Sequence, residues 1–282
     1  MASIELRPMS LGELLDRTFT LYKSRFWLFA TIMLVPYVIL LAVNVAGSMI
    51  GAAAPRSAGS PATLSGAAVG GFFLGVAVFA LIYLATFAAA QAATVFAVSD
   101  LYLGRETSAR QAYSRVRGKV GRVLLVIIMA GLAVAGGFVL LIIPGIIALC
   151  RTAVSVPAAM LENVKARQAL SRSFDLTKGH AMRILLVFIF VLVLTWIAAF
   201  IFQFPILLAL RPLTKQPQAV PVGLAILSHL GEFIAGVLVG PIGTIAFSLI
   251  YYDLRVRKEA FDLQLLMAAL GPGQAAGTPS PA

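Results

Sequence analysis

The chain has one cysteine, two histidines and little charge: only 12% of its 282 residues are Asp, Glu, Lys or Arg. A soluble domain carries about twice that share. A single cysteine, Cys150, excludes an internal disulfide and a thiolate metal cluster. It lies in an apolar run and reads as a small core residue. No HExxH, CxxC, Walker loop or nucleophile elbow occurs. No extramembrane stretch approaches the roughly 100 residues that a soluble catalytic domain needs. An enzyme is therefore not expected, and neither is a cofactor or a metal.

What the chain does have is apolar length, with 60% of its residues hydrophobic and gathered in long runs. A helix crossing a bilayer needs about 20 mostly apolar residues. Six runs meet that need, at roughly 26–50, 67–98, 120–143, 145–163, 183–210 and 230–252. The second exceeds a bilayer and should tilt or project. The fourth is the weakest, because Pro144-Gly145 opens it and Arg151 and Pro157 interrupt it. Spans three and four either cross fully or form a shallower re-entrant hairpin, and both versions return the chain to the same side. The polar, amphipathic first twenty-five residues are not a signal peptide, so the run from Phe26 reads as an uncleaved anchor.

Lys and Arg gather in cytoplasmic loops. Here they cluster before span one (Arg7, Arg17, Lys23, Arg25), between spans two and three (Arg105 to Arg122), between four and five (Lys165 to Arg183) and after six (Arg255, Arg257, Lys258). The other side holds Arg56, Arg211 and Lys215. Both termini are thus expected in the cytoplasm. Residues 51–66 and 211–221, rich in small residues and Pro, read as outer loops. His180 and His229 fall on opposite sides and cannot share a metal. Residues 1–266 read as one helical membrane domain, and 267–282 as a disordered tail.

A basic heptapeptide recurs: ARQAYSR at 109–115 and ARQALSR at 166–172. Ala109, Ala112, Tyr113 and Val116 follow the i, i+3, i+4, i+7 rule of one helical face, as do Ala166, Ala169, Leu170 and Ser173. A third copy, LDRTFTLYKSR at 15–25, aligns without gaps to LSRSFDLTKGH at 170–180. Leu11, Leu14, Leu15 and Thr18 mark its face, and Ser10 with Glu13 makes a capping box. The fold expected is an all-α integral membrane protein: six transmembrane helices, three cytoplasmic interfacial amphipathic helices, and a three-unit pseudo-repeat. The apolar faces would settle into the acyl boundary. Arg17, Lys23, Arg110, Arg115, Arg117, Arg167, Arg172 and Lys178 would meet anionic head groups. This basic collar accounts for the net charge of +11 without nucleic acid, for which no binding motif is present.

Ionisable groups inside a span are costly and are functional candidates by default. Arg151, Ser155 and Glu162 on the fourth span fall within about 40° of one another and would form one polar seam. His229 and Glu232, three apart, share a face of the sixth span. An Arg151–Glu232 pair is the expected intramembrane site. Asn44 and Gln91 read as amides that join helices, and Gly66/Gly70, Gly71/Gly75 and Gly236/Gly240 as GxxxG approaches.

Four stretches together carry a resemblance: LRPMSLGELLDRTFTLYKSRFWLF, IIPGIIALCRTAVSVPAAMLE, SFDLTKGHAMRILL and YYDLRVRKEAFDLQLL. As a set, they resemble the bacterial glycerophosphoryl diester phosphodiesterase membrane-domain family over nearly the whole chain to about Leu266. The resemblance implies location in the bacterial inner membrane and a helical architecture. It does not imply the phosphodiesterase activity, because the barrel with its metal-binding acids and paired histidines is absent. The function expected is a non-catalytic scaffold or accessory protein that engages anionic lipid, or a membrane or cytoplasmic protein partner, through its basic helices. The alternative is a small transporter or lipid-handling protein with a midplane polar cavity around Arg151.

Overall fold

The structure is a computed structural model that describes residues 9–53, 66–210 and 221–259. Ten helices follow in order: α1 (Leu11–Ser24), α2 (Phe26–Ala53), α3 (Gly66–Tyr102), α4 (Ala109–Val116), α5 (Val120–Leu140), α6 (Ile142–Thr152), α7 (Ser155–Leu161), α8 (Ala166–Thr177), α9 (Ala181–Leu210) and α10 (Val222–Glu259). No strand occurs among the described residues. Six helical stretches are long and apolar enough to cross a membrane, in α2, α3, α5, α6–α7, α9 and α10. Arg56, Arg211 and Lys215 of the expected outer loops, the segment before Met9 and the expected tail at 267–282 lie outside the described residues.

The fourth span is two helices. Pro157 sits in the third position of α7 and has no N–H to offer the carbonyl of residue 153. The helix accordingly stops at Ala153 and restarts after Val154. The single seam expected along Arg151, Ser155 and Glu162 is therefore cut, since Arg151 belongs to α6, Ser155 opens α7 and Glu162 caps it. The α5–α6 hairpin turns on one extended residue, Leu141. Gly137 and Gly145 permit the turn, because a Cβ at 137 would stand 2.9 Å from the Cα of Gly145. Its tip is wholly apolar: residues 139–143 are each at least 69% exposed on the bare protein.

The long helix α10 is the hub and packs against α1, α2, α3, α7, α8 and α9. Its last turns do not project freely. Tyr251, Tyr252, Asp253 and Leu254 are buried among the short helices. The sixth helix thus begins eight residues before the expected boundary and ends seven after it.

Both caps of the first two short helices form. Ser10 Oγ accepts from the Glu13 amide at 3.2 Å while Glu13 accepts from the Ser10 amide. Ser108 and Gln111 repeat the arrangement at α4. The apolar faces of α1, α4 and α8 carry Leu14 and Thr18, Ala112 and Val116, and Ala169, Leu170, Ser173 and Leu176, all buried inside the bundle. The expectation that these faces settle into lipid is corrected: they cover the end of the bundle. Of the GxxxG spacings, Gly70, Gly71 and Gly75 meet open space, and Gly236 and Gly240 lie under the Tyr37 ring.

Candidate functional site

Two regions stand out along α10, one at its C-terminal end and one along its first half and middle. The basic end is a network of ion pairs. The Asp253 carboxylate has no exposed surface and faces Arg257 Nε at 2.9 Å and Arg183 Nη2 at 3.3 Å. The main-chain amide of Met9 donates to its other oxygen at 2.8 Å. Burying a carboxylate costs several kcal/mol unless partners of this kind offset it. Arg172 Nε donates to both oxygens of Glu162 at 3.0 Å and Nη2 to Glu259, which also pairs with Arg255. Burial opposes the charge of Arg172, but the hydrogen bonds to Glu162 and Glu259 hold its pKa above the ordinary value. Tyr251 donates to Glu162 at 2.8 Å. Arg115 is paired with Asp100, and its guanidinium lies 5.0 Å from the Phe96 ring. Arg17 lies 5.0 Å over Tyr102, which stacks on Tyr252.

Three of the eight expected head-group contacts are thus engaged within the protein: Arg17, Arg115 and Arg172. The other five, Lys23, Arg110, Arg117, Arg167 and Lys178, are exposed and have no side-chain partner among the described residues. Separation in sequence hid the difference, because the acids that select these partners lie on other helices.

The second region is a pair of adjoining cavities. The larger, about 560 Å³, lies among α3, α5, α6, α7, α9 and α10. Its walls are mostly apolar, with Phe87, Val95, Ile127, Leu149, Phe188 and Phe247 among them. Gln91 and Thr244, hydrogen-bonded to each other, cross one wall. Ser155 contributes a hydroxyl with no protein partner among the described residues. The smaller cavity, about 320 Å³, carries Tyr37, Tyr83, Gln203 and Glu232. Thr195, Val239 and Gly240 line both, so the two meet.

The expected Arg151–Glu232 pair does not form. Arg151 sits at the α8 side, where its carbonyl accepts from Ser173 Oγ at 2.6 Å, and no acid among the described residues pairs with it. It lines neither cavity. Glu162 turns to Arg172 instead, and His229 meets Ser48 at 3.0 Å through Nε2. Of the five candidate intramembrane residues, Ser155 lines the larger cavity and Glu232 the smaller. Among the described residues no group of three His, Cys, Asp or Glu could hold a metal ion.

The sequence reading missed Tyr37, Tyr83, Gln203 and Thr244 as lining residues. Their one local signal was a polar or phenolic group in an apolar run. Gln91 was read as a helix-joining amide, and its bond to Thr244 fits that role. No protein-family model matches the chain, nor does any curated protein or solved structure. The fold and the two regions define the class: an all-helical protein with six membrane-length apolar helices, a pair of adjoining, partly open cavities and an ion-paired basic end.

Proposed function

We propose that the chain is a non-catalytic, multi-pass membrane protein that handles lipid, taking an amphiphile into the paired cavities. The observation that carries this is the larger cavity: apolar walls with a few convergent polar groups, Ser155, Gln91 and Thr244, at a volume within the range of small-molecule sites. Arg151 has no part in it, so the polar handle moves from that arginine to Ser155 and Gln91. The test fills the space. Ala130→Phe, from the α5 wall, should lower the lipid that purifies with the protein in mild detergent while the bundle still melts cooperatively. Undiminished lipid in a folded variant would overturn the proposal.

A second reading rests on the five exposed cations. Lys23, Arg110, Arg117, Arg167 and Lys178 are available to an anionic lipid surface or a cytoplasmic partner, which suits a scaffold or accessory role. In this reading α1, α4 and α8 lie along one interface as a three-unit pseudo-repeat, each followed by two spans. The positive charge at that end supports a cytoplasmic location for both termini. The likeness to the glycerophosphoryl diester phosphodiesterase membrane-domain family supports the bacterial inner membrane.

A further inference from the structure

The smaller cavity has a chemistry of its own. Glu232 is exposed within it, and among the described residues no cation reaches that carboxylate. A carboxylate beside apolar and aromatic walls, with no cation on it, favours a ligand that brings a counter-charge. Two tyrosine rings share the space. Tyr37 is pressed against α10 over Gly236 and Gly240, where any side chain at 236 would collide with it, so its position is fixed. Tyr83 belongs to a stacked row with Phe79 and Phe87, ring centroids 6.2 and 6.0 Å apart. Gln203 donates from Nε2 to the Ser228 carbonyl at 3.2 Å, which leaves its own carbonyl oxygen to accept.

A carboxylate, two aromatic rings and an amide oxygen form a set that recognises an ammonium group: the first by charge, the rings by their quadrupole, the last by a hydrogen bond. Among the described residues no basic side chain lines the cavity to attract an anion. The adjoining larger cavity is apolar and opens at Thr195, Val239 and Gly240. Along α10, Glu232 lies about 30 Å from Asp253 at helical rise, roughly the thickness of a hydrocarbon core. The head-group subsite is therefore in the half of the bundle away from the ion-paired end.

We propose that the ligand is a long-chain amine, its protonated nitrogen against Glu232, Tyr37 and Tyr83 and its tail in the larger cavity. This rests on the lipid-handling reading and adds the head-group class to it. The test uses the full chain in nanodiscs of zwitterionic lipid. Nitroxide-labelled stearylamine, stearyl alcohol and stearic acid are compared by the immobilised fraction of their spectra. The amine should bind about tenfold more tightly than the alcohol, the scale of a desolvated cation–π contact with a counter-charge. Glu232→Gln should bring the amine to the level of the alcohol and leave the alcohol unchanged. Tyr37→Leu should reduce the preference about threefold; an unchanged preference there overturns the proposal even if the Glu232 variant does not fold. Equal binding of amine and alcohol by the wild type, or an amine preference that survives Glu232→Gln, also overturns it and leaves the lipid-handling reading standing. If none of the three binds the wild type better than Ala130→Phe, both fall together.

Discussion

The Tyr113 hydroxyl donates to the Ile32 carbonyl at 2.7 Å, and that carbonyl is the one Pro36 leaves without a partner. A proline at position 36 removes the N–H that would have bonded four residues back. Tyr113 is also the one letter by which ARQAYSR differs from ARQALSR. The first copy of the heptapeptide has a phenol where the second has Leu170, because α4 lies beside a proline-interrupted helix. Tyr113→Phe should lower stability by about 1–2 kcal/mol, the cost of a buried acceptor left unmade, as read by thermal melting in detergent. Burial raises the phenol to about 12 from its ordinary 10. Its contribution should thus be complete below pH 10 and be lost as pH climbs toward 12. In Tyr113→Phe that part of the alkaline loss should vanish.

Asp253→Asn tests the knot at the basic end. It keeps the shape of the side chain and removes the charge that holds Arg183, Arg257 and the Met9 amide. Breaking a buried pair leaves its partners uncompensated, so about 3 kcal/mol should be lost. A melting temperature equal to that of the wild type would contradict the geometry.

The Arg172–Glu162 pair is a fifth to a third exposed, so solvent moderates it. A double-mutant cycle with Arg172→Met and Glu162→Gln should give coupling of about 1 kcal/mol. The same cycle on Arg151 and Glu232 should give about zero, since they touch no common group.

Charge neutralisation separates the two kinds of arginine. Changing Lys23, Arg110, Arg117, Arg167 and Lys178 together to Gln should leave the melting temperature unchanged and weaken binding to anionic vesicles, by about 1 kcal/mol per residue near the surface. Arg115→Gln should do the reverse, lowering stability through Asp100.

The hairpin tip offers a depth gauge. α6 has 11 residues, a rise of about 16 Å, and its end is fastened to α8. With the α6–α8 contact at an interface, Leu141 would stop inside the hydrocarbon; α5, whose 21 residues rise about 31 Å, would carry it across only if Val120 starts at that same level. A cysteine there, in a Cys150→Ala background, should resist an impermeant maleimide from either face, while one at exposed Ser114 should react. Labelling at 141 from the face opposite Ser114 would mean that the hairpin crosses.

Local spacing carried much of the fold. Six apolar runs, the Ser10–Glu13 cap and the helical phase of 109–116 could all be read from neighbours a few positions apart. What covers an apolar face could not. Periodicity marks Ala112 and Val116 as one stripe but is the same whether lipid or protein lies against it. The Arg151–Glu232 expectation failed for a related reason. It chose the one acid presumed to lie at membrane depth, and the break at Ala153–Val154 left Arg151 at α8 instead. The cavities were less visible still, since they are gaps between side chains of several helices, and a sequence names side chains without showing the space between them.

The order of synthesis gives the buried end of α10 a further meaning. Arg172 and Arg183 leave the ribosome well before Asp253 and Glu259, the acids that neutralise them. Until the last helix threads between the short ones, Arg183 has water or phospholipid as company and Arg172 has Glu162 alone. Closure of the bundle is therefore a terminal event, and a chain halted ahead of Asp253 would expose its latch open to the quality-control proteases of the membrane.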